Sequence, residues 1–95
     1  MEMHQVRYFL ALCEELHFTR AAKRCGVAQP SLTRAIKQLE NKLGGPLFDR
    51  DRANNRLSNL GMLVRPELAR IDRSAVEAKR KAAKFLAARS VRPQL

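Results

Sequence analysis

The sequence predicts a mainly α-helical fold: three short helices, a small β-hairpin and a long terminal helix. Three observations carry this. Apolar residues recur at helical spacing in two segments before residue 44. A polar stretch, Asp49 to Asn55, is flanked by the pairs Leu47-Phe48 and Arg56-Leu57. Beyond residue 58 an apolar heptad repeat persists as far as Phe85.

The first helix is placed near residues 3–16. Val6, Phe9, Leu10, Cys13 and Leu16 fall on one face at spacings of three and four. A second, short helix opens at Phe18-Thr19, where the Thr19 hydroxyl is expected to cap a free backbone N–H. Ala21 and Ala22 allow close approach of a neighbouring helix, and Gly26 supplies the positive φ that ends it. The third helix starts around Gln29-Pro30, since a first-turn proline loses no intrahelical bond. Leu32, Ile36, Leu39 and Leu43 form its apolar stripe, with Ser31, Thr33, Arg34, Lys37, Gln38 and Asn41 opposite. Gly44-Gly45-Pro46 stops it. In the hairpin, Asn54-Asn55 suits a tight turn. Ser58 is expected to cap the last helix, which runs from Asn59 to about Arg89 and spans roughly 45 Å at 1.5 Å per residue. Its seam is Val64, Leu68, Ile71, Ala75, Ala78, Ala82 and Phe85, and Pro66 is expected to bend it. A helix this long exceeds what a three-helix core can cover, so the seam is assigned to dimerisation.

Composition narrows the function. The 95 residues carry a net charge of +10. Residues 1–17 are net −2, whereas 18–57 and 58–95 are each +6. Such a balance favours a polyanionic partner. Cys13 and Cys25 have neither disulfide-framework nor zinc-knuckle spacing, and read as small core residues of a protein in the reducing cytoplasm. His4 and His17 lack metal-ligand spacing and read as surface groups, so no metal or cofactor is expected. No apolar run is long enough for a membrane span. No nucleophile–base pair, paired acid or phosphate-cradling loop is present, which sets enzymes aside.

Two helices joined by a glycine turn form a helix-turn-helix, a motif whose second helix enters the major groove of double-stranded DNA. Gln29 suits the N6 and N7 edge of adenine, and Arg34 suits guanine O6 and N7. Pro30 and the Thr33 methyl suit a thymine methyl. Ser31 serves a base or a phosphate. Lys37 extends the basic face, and Arg50, Arg52 and Arg56 offer the hairpin to phosphates or the minor groove. The alternative is a small architectural protein that coats DNA without reading it. A third option, a basic helix docking on an acidic protein, is disfavoured like the second by the varied polar and apolar surface of the third helix, since coating needs only charge.

The run Arg7-Tyr8-Phe9, Phe18-Thr19-Arg20-Ala21-Ala22, Gln29-Pro30-Ser31-Leu32-Thr33-Arg34, Leu39-Glu40, Leu43-Gly44, Pro46-Leu47-Phe48-Asp49-Arg50, Leu57-Ser58 and Gly61 resembles the N-terminal domain of LysR-type transcriptional regulators, over about residues 3–89. The stretch around Gln29 to Arg50 is its most specific part. The resemblance implies a winged helix-turn-helix over 1–58, a dimerising linker helix over 59–89 and a flexible tail over 90–95. It implies bacterial transcription regulation from an interrupted inverted repeat. A C-terminal effector domain would sense a small molecule and build tetramers; these 95 residues leave no room for it, so a fragment of a longer regulator is expected. By matching position, Gln29, Pro30, Ser31, Thr33 and Arg34 would face bases, Arg50, Arg52 and Ser58 would bind DNA where they flank the wing, and Thr19 would touch a phosphate. The sequence departs from the family at Ala28, often Ser, and at Cys25-Gly26, usually Leu followed by His or Asn. Ser58 replaces a usual Thr. Ala53-Asn54-Asn55 lacks the arginine common at the wing tip, leaving that contact to Arg52 or Arg56.

Overall fold

The computed structural model describes residues 1–50 and 55–90, without the side chains at 50 and 90. The order is α1 (Met3–Glu15), α2 (Phe18–Cys25), α3 (Gln29–Leu43), β1 (Phe48–Arg50), β2 (Asn55–Leu57) and α4 (Asn59–Ser90). Arg52, the residue 54 half of the expected turn and the tail at 91–95 lie outside the described residues.

Helix α1 begins with a capping box. The Glu2 side chain accepts from the Gln5 backbone N–H, and Gln5 Oε1 accepts from the Glu2 backbone N–H at 3.0 Å. It ends one residue earlier than expected. Leu16 turns into the left-handed region (φ 52, ψ 29) with its N–H on the Leu12 carbonyl. It therefore leaves the apolar face of α1 and stands 40% exposed.

Helix α2 is capped by His17 rather than Thr19. His17 Nδ1 accepts from the Arg20 backbone N–H at 3.2 Å, and Thr19 lies inside the first turn. Both glycine stops form as expected. Gly26 adopts φ 71 and Gly44 φ 92. After α2 the Val27 N–H reaches the Ala22 carbonyl and Gly26 N–H the Lys23 carbonyl, a pair of bonds that closes the helix end. Helix α3 has Ala28 at its N-cap, which gives no side-chain cap.

Val6, Phe9, Leu12, Leu32, Ile36, Leu39 and Leu47 are fully buried where α1, α2 and α3 meet. Phe48 brings the hairpin into this core, its ring 5.6 Å from that of Phe9. The antiparallel register pairs Phe48 with Leu57, Asp49 with Arg56 and Arg50 with Asn55. The strands thus reach into the stretch expected to be loop, and Asn55 is a strand residue rather than part of the turn.

A knot of hydrogen bonds ties the hairpin to α3 and α4. The buried Glu40 carboxylate accepts from the Leu47 N–H at 2.8 Å. The Leu47 carbonyl accepts from the Ser58 N–H at 2.9 Å. Ser58 Oγ donates to the Pro46 carbonyl at 2.7 Å and accepts from the Gly61 N–H at 2.9 Å, which is the expected cap. Gly61 is required here: a Cβ would overlap the Leu47 carbonyl oxygen and lie 2.8 Å from Leu57 Cδ2.

Helix α4 passes through Pro66 as one helix of 32 residues. Its seam divides. Leu68 is buried and Val64 packs against the same domain's core, so these two belong to the fold of a single chain and not to a free dimer surface. Ile71 and Phe85 are 40% and 59% exposed, Ala78 and Ala82 are exposed, and Ala75 is half-buried. The physical reason is reach: α1 covers only the first turns of α4.

Candidate nucleic-acid interface

Leu32, Ile36 and Leu39 turn one face of α3 into the core, which leaves the other face on the surface. Gln29, Pro30, Ser31, Arg34 and Lys37 are exposed there and Thr33 is half-buried. A shallow groove runs along this face, lined by Gln29, Pro30, Thr33, Arg34, Lys37 and Gln38. Five of these six carry the expected DNA contacts; Gln38 does not, and its place one turn after Arg34 was the available signal.

The charges around this face sort into paired and unpaired. On α2, Arg20 Nε lies 3.4 Å from Glu15 Oε1, and Arg24 pairs with both Glu14 and Glu15. Glu14 and Glu15 of α1 thus offset two of the three bases of α2, Arg20 and Arg24 but not Lys23. Arg34 and Lys37 make no ion pair among the described residues, so the positive charge of α3 is fully available. Arg56 stands across from Asp49, with Nε to Oδ2 at 3.9 Å and both side chains well exposed. Such a pair contributes little and yields to a stronger anion.

Thr19 reaches the start of α3: its hydroxyl donates to Gln29 Oε1 at 3.3 Å. One lone pair of that oxygen is taken, and the Gln29 amide nitrogen has no hydrogen-bond partner among the described residues. Ser58, by contrast, is 6% exposed with its hydroxyl committed on both sides, so it leaves the group of DNA-facing residues. Arg50 is placed by the backbone at the end of β1.

The cysteines stand apart from the interface. Burial pushes the Cys13 thiol up to about 12, and burial also raises Cys25 against the opposing pull of Arg24 and Arg7. Among the described residues no cluster of three or more His, Cys, Asp or Glu could hold a metal, and no helix is long and apolar enough to cross a membrane.

Comparison with known proteins places this geometry. The sequence model for bacterial regulatory helix-turn-helix proteins of the lysR family matches residues 3–62. The HTH-type transcriptional regulator BudR of Klebsiella aerogenes is 54% identical over 50 residues, covering 53% of this chain and 35% of BudR. The Hca operon transcriptional activator HcaR of Escherichia coli K12 is 38% identical over 86 residues, covering 90% of this chain and 29% of HcaR. The chain therefore spans about a third of the length of these relatives. The BenM DNA-binding domain, solved in complex with its catB site 1 DNA, superposes with a TM-score of 0.78 at 33% identity, covering 92% of this chain and 96% of that one.

Proposed function

The chain belongs to the lysR family of bacterial regulatory helix-turn-helix proteins, and from that membership we propose that it binds double-stranded DNA sequence-specifically as the DNA-binding domain of a transcription regulator. One observation carries the reading: α3 is anchored by a buried stripe and presents Gln29, Pro30, Thr33, Arg34 and Lys37 side by side along a groove. That mixture of amide, guanidinium, methyl and ring is suited to base edges, whereas coating DNA needs only charge. In this reading α3 enters the major groove, Thr19 and Ser31 add contacts at its N-terminal end, and Arg50, Arg52 and Arg56 lie along the flanking backbone or minor groove.

The protein acts as a homodimer through the outer part of α4. Ile71, Ala75, Ala78, Ala82 and Phe85 share one face, and the alanines let two helix axes approach closely. Charge selects the orientation. A parallel pair would bring Glu67 against the partner's Asp72. An antiparallel pair places Asp72 near the partner's Lys79, and stacks Ile71 on the partner's Ala82, large on small. Two α3 helices fixed this way read two half-sites of an operator with dyad symmetry, one helical turn or a multiple apart. In a longer protein a small-molecule effector domain would follow α4 and assemble dimers into tetramers in the cytoplasm.

Selection from a genomic fragment library at near-physiological salt, followed by sequencing, tests the reading. Recovery of an interrupted inverted repeat is expected. Equal recovery of all fragments would overturn it and leave only the attraction of a basic surface for phosphate, which weakens steeply with salt.

A further inference from the structure

A hydrogen-bond relay runs from the start of α1 to the DNA-facing groove, and every link in it has a fixed polarity. The backbone N–H of Glu2 can only donate, and it does so to Gln5 Oε1 at 3.0 Å. That fixes the Gln5 side chain, which is only 7% exposed, so that its nitrogen points the other way. Gln5 Nε2 donates to Gln38 Oε1 at 3.0 Å. The Gln38 oxygen is thereby held on the inner side, and its NH2 group, with no partner among the described residues, is left for the groove it lines beside Arg34 and Lys37. Gln29 repeats the pattern, its oxygen taken by the Thr19 hydroxyl.

The geometry points to Gln38 as a further DNA-contact residue that acts as a donor only, with Gln5 as the positioning residue that sets its polarity. This rests on the DNA-binding function proposed above and deepens it. With Gln29 Nε2, Arg34, Lys37 and Gln38 Nε2 all lining it, the groove offers donors along its length. Its counterpart is a row of acceptors: guanine O6 and N7, adenine N7 or thymine O4 on base edges, or phosphate oxygens on the backbone. A freely rotating glutamine could meet either a donor or an acceptor; the relay removes that choice.

The test uses the whole 95-residue chain, the duplex recovered by wild-type selection and a scrambled duplex. Gln38→Met keeps the side chain's length and removes its polar end. Binding is expected to weaken about threefold to tenfold, the range of one hydrogen bond. Loss confined to one base pair of the recovered duplex assigns a base edge, and equal loss on both duplexes assigns a phosphate. Gln5→Glu changes no residue in the groove. Its carboxylate accepts from Glu2 as before but can no longer donate, so Gln38 must turn its nitrogen inward and present oxygen to the DNA. The expected result is a shifted preference at the same base pair or, for a phosphate, a loss as large as that of Gln38→Met. Gln5→Met, which merely frees Gln38 to rotate, should retain most of the binding, and thermal melting confirms that each variant is folded. Unchanged binding by folded Gln38→Met would overturn the contact. A Gln5→Glu variant that behaves like Gln5→Met would overturn the relay. Flat selection by the wild type would defeat the sequence-reading function, while a Gln38→Met loss on the scrambled duplex would still uphold a phosphate contact.

Discussion

Replacing Gly61 by alanine adds one methyl group in the first turn of α4, far from the DNA-facing side of α3. The new Cβ would overlap the Leu47 carbonyl oxygen and press on Leu57 Cδ2 at 2.8 Å. The Leu47 segment cannot simply retreat. Its N–H is held by Glu40 at 2.8 Å, its carbonyl by the Ser58 N–H at 2.9 Å, and the preceding Pro46 carbonyl by Ser58 Oγ at 2.7 Å. Relief requires either shifting α4 or breaking a bond at a buried group. Overpacking costs about 1–3 kcal/mol. An unsatisfied buried carbonyl costs about 1–3 kcal/mol more. Better helix propensity returns at most about 1 kcal/mol. The net loss is therefore about 1–5 kcal/mol, which at about 4–8 °C per kcal/mol for a domain this size lowers Tm by about 4–40 °C. Circular dichroism melting at one fixed protein concentration measures it, since the proposed dimerisation would make Tm depend on concentration. A Tm within about 3 °C of wild type would refute the reasoning, because it would mean that the hairpin and α4 slide past each other freely.

Arg34→Ala should reduce discrimination at a single base pair by about 1–3 kcal/mol, measured by competition among single-substitution duplexes; equal loss on scrambled DNA would make Arg34 a phosphate contact. Ile71→Asp places a charge on the exposed outer seam and should give a folded monomer by light scattering; a variant that stays dimeric would move the interface elsewhere. Cys13, raised by burial to about 12, keeps its proton in the folded state over a range where the unfolded thiol, near 9.0, loses it. Its contribution to stability is thus complete below pH 9.0 and declines as pH rises toward 12. Melting from pH 8 to 11 with Cys13→Ser as reference should show wild type losing the larger share of Tm; parallel curves would contradict the burial argument.

Local signals foretold most of the fold because they act locally. Gly26 and Gly44 stop their helices where the sequence expects stops, both with positive φ. Ser58 caps α4 through the Gly61 N–H three residues on. The apolar stripe of α3 is the buried one. What sequence reasoning missed depends on contacts between distant residues or on unusual choices of side chain. His17 caps α2 because an imidazole nitrogen can accept as a hydroxyl does, though it lies outside the residue types usually favoured. The resemblance assigns Ser58 to DNA, but its hydroxyl is drawn inward by the Pro46 carbonyl, twelve residues earlier. Gln5 and Gln38 are 33 residues apart, and no periodicity could announce their bond. Gln38 itself was visible as part of a polar face; the sign of its exposed hydrogen-bonding group was not.

The seam of α4 shows why a regular pattern can carry two jobs. Spacing alone makes Val64, Leu68, Ile71, Ala75, Ala78, Ala82 and Phe85 equivalent. In space, Val64 and Leu68 fasten the helix to the domain that carries α3, and the residues from Ile71 onward remain available to a second chain. These two uses depend on each other. If the first two side chains did not hold, α4 would pivot on the domain and the distance between two recognition helices would vary from dimer to dimer. Because Leu68 is buried in the same core as Leu32 and Ile36 and Val64 packs against it, the orientation of α3 is set by the same packing that sets the direction of α4. In the proposed dimer, the register of two α4 helices would then fix the separation of two α3 helices, and a contact far from the DNA would determine which half-site spacing is read.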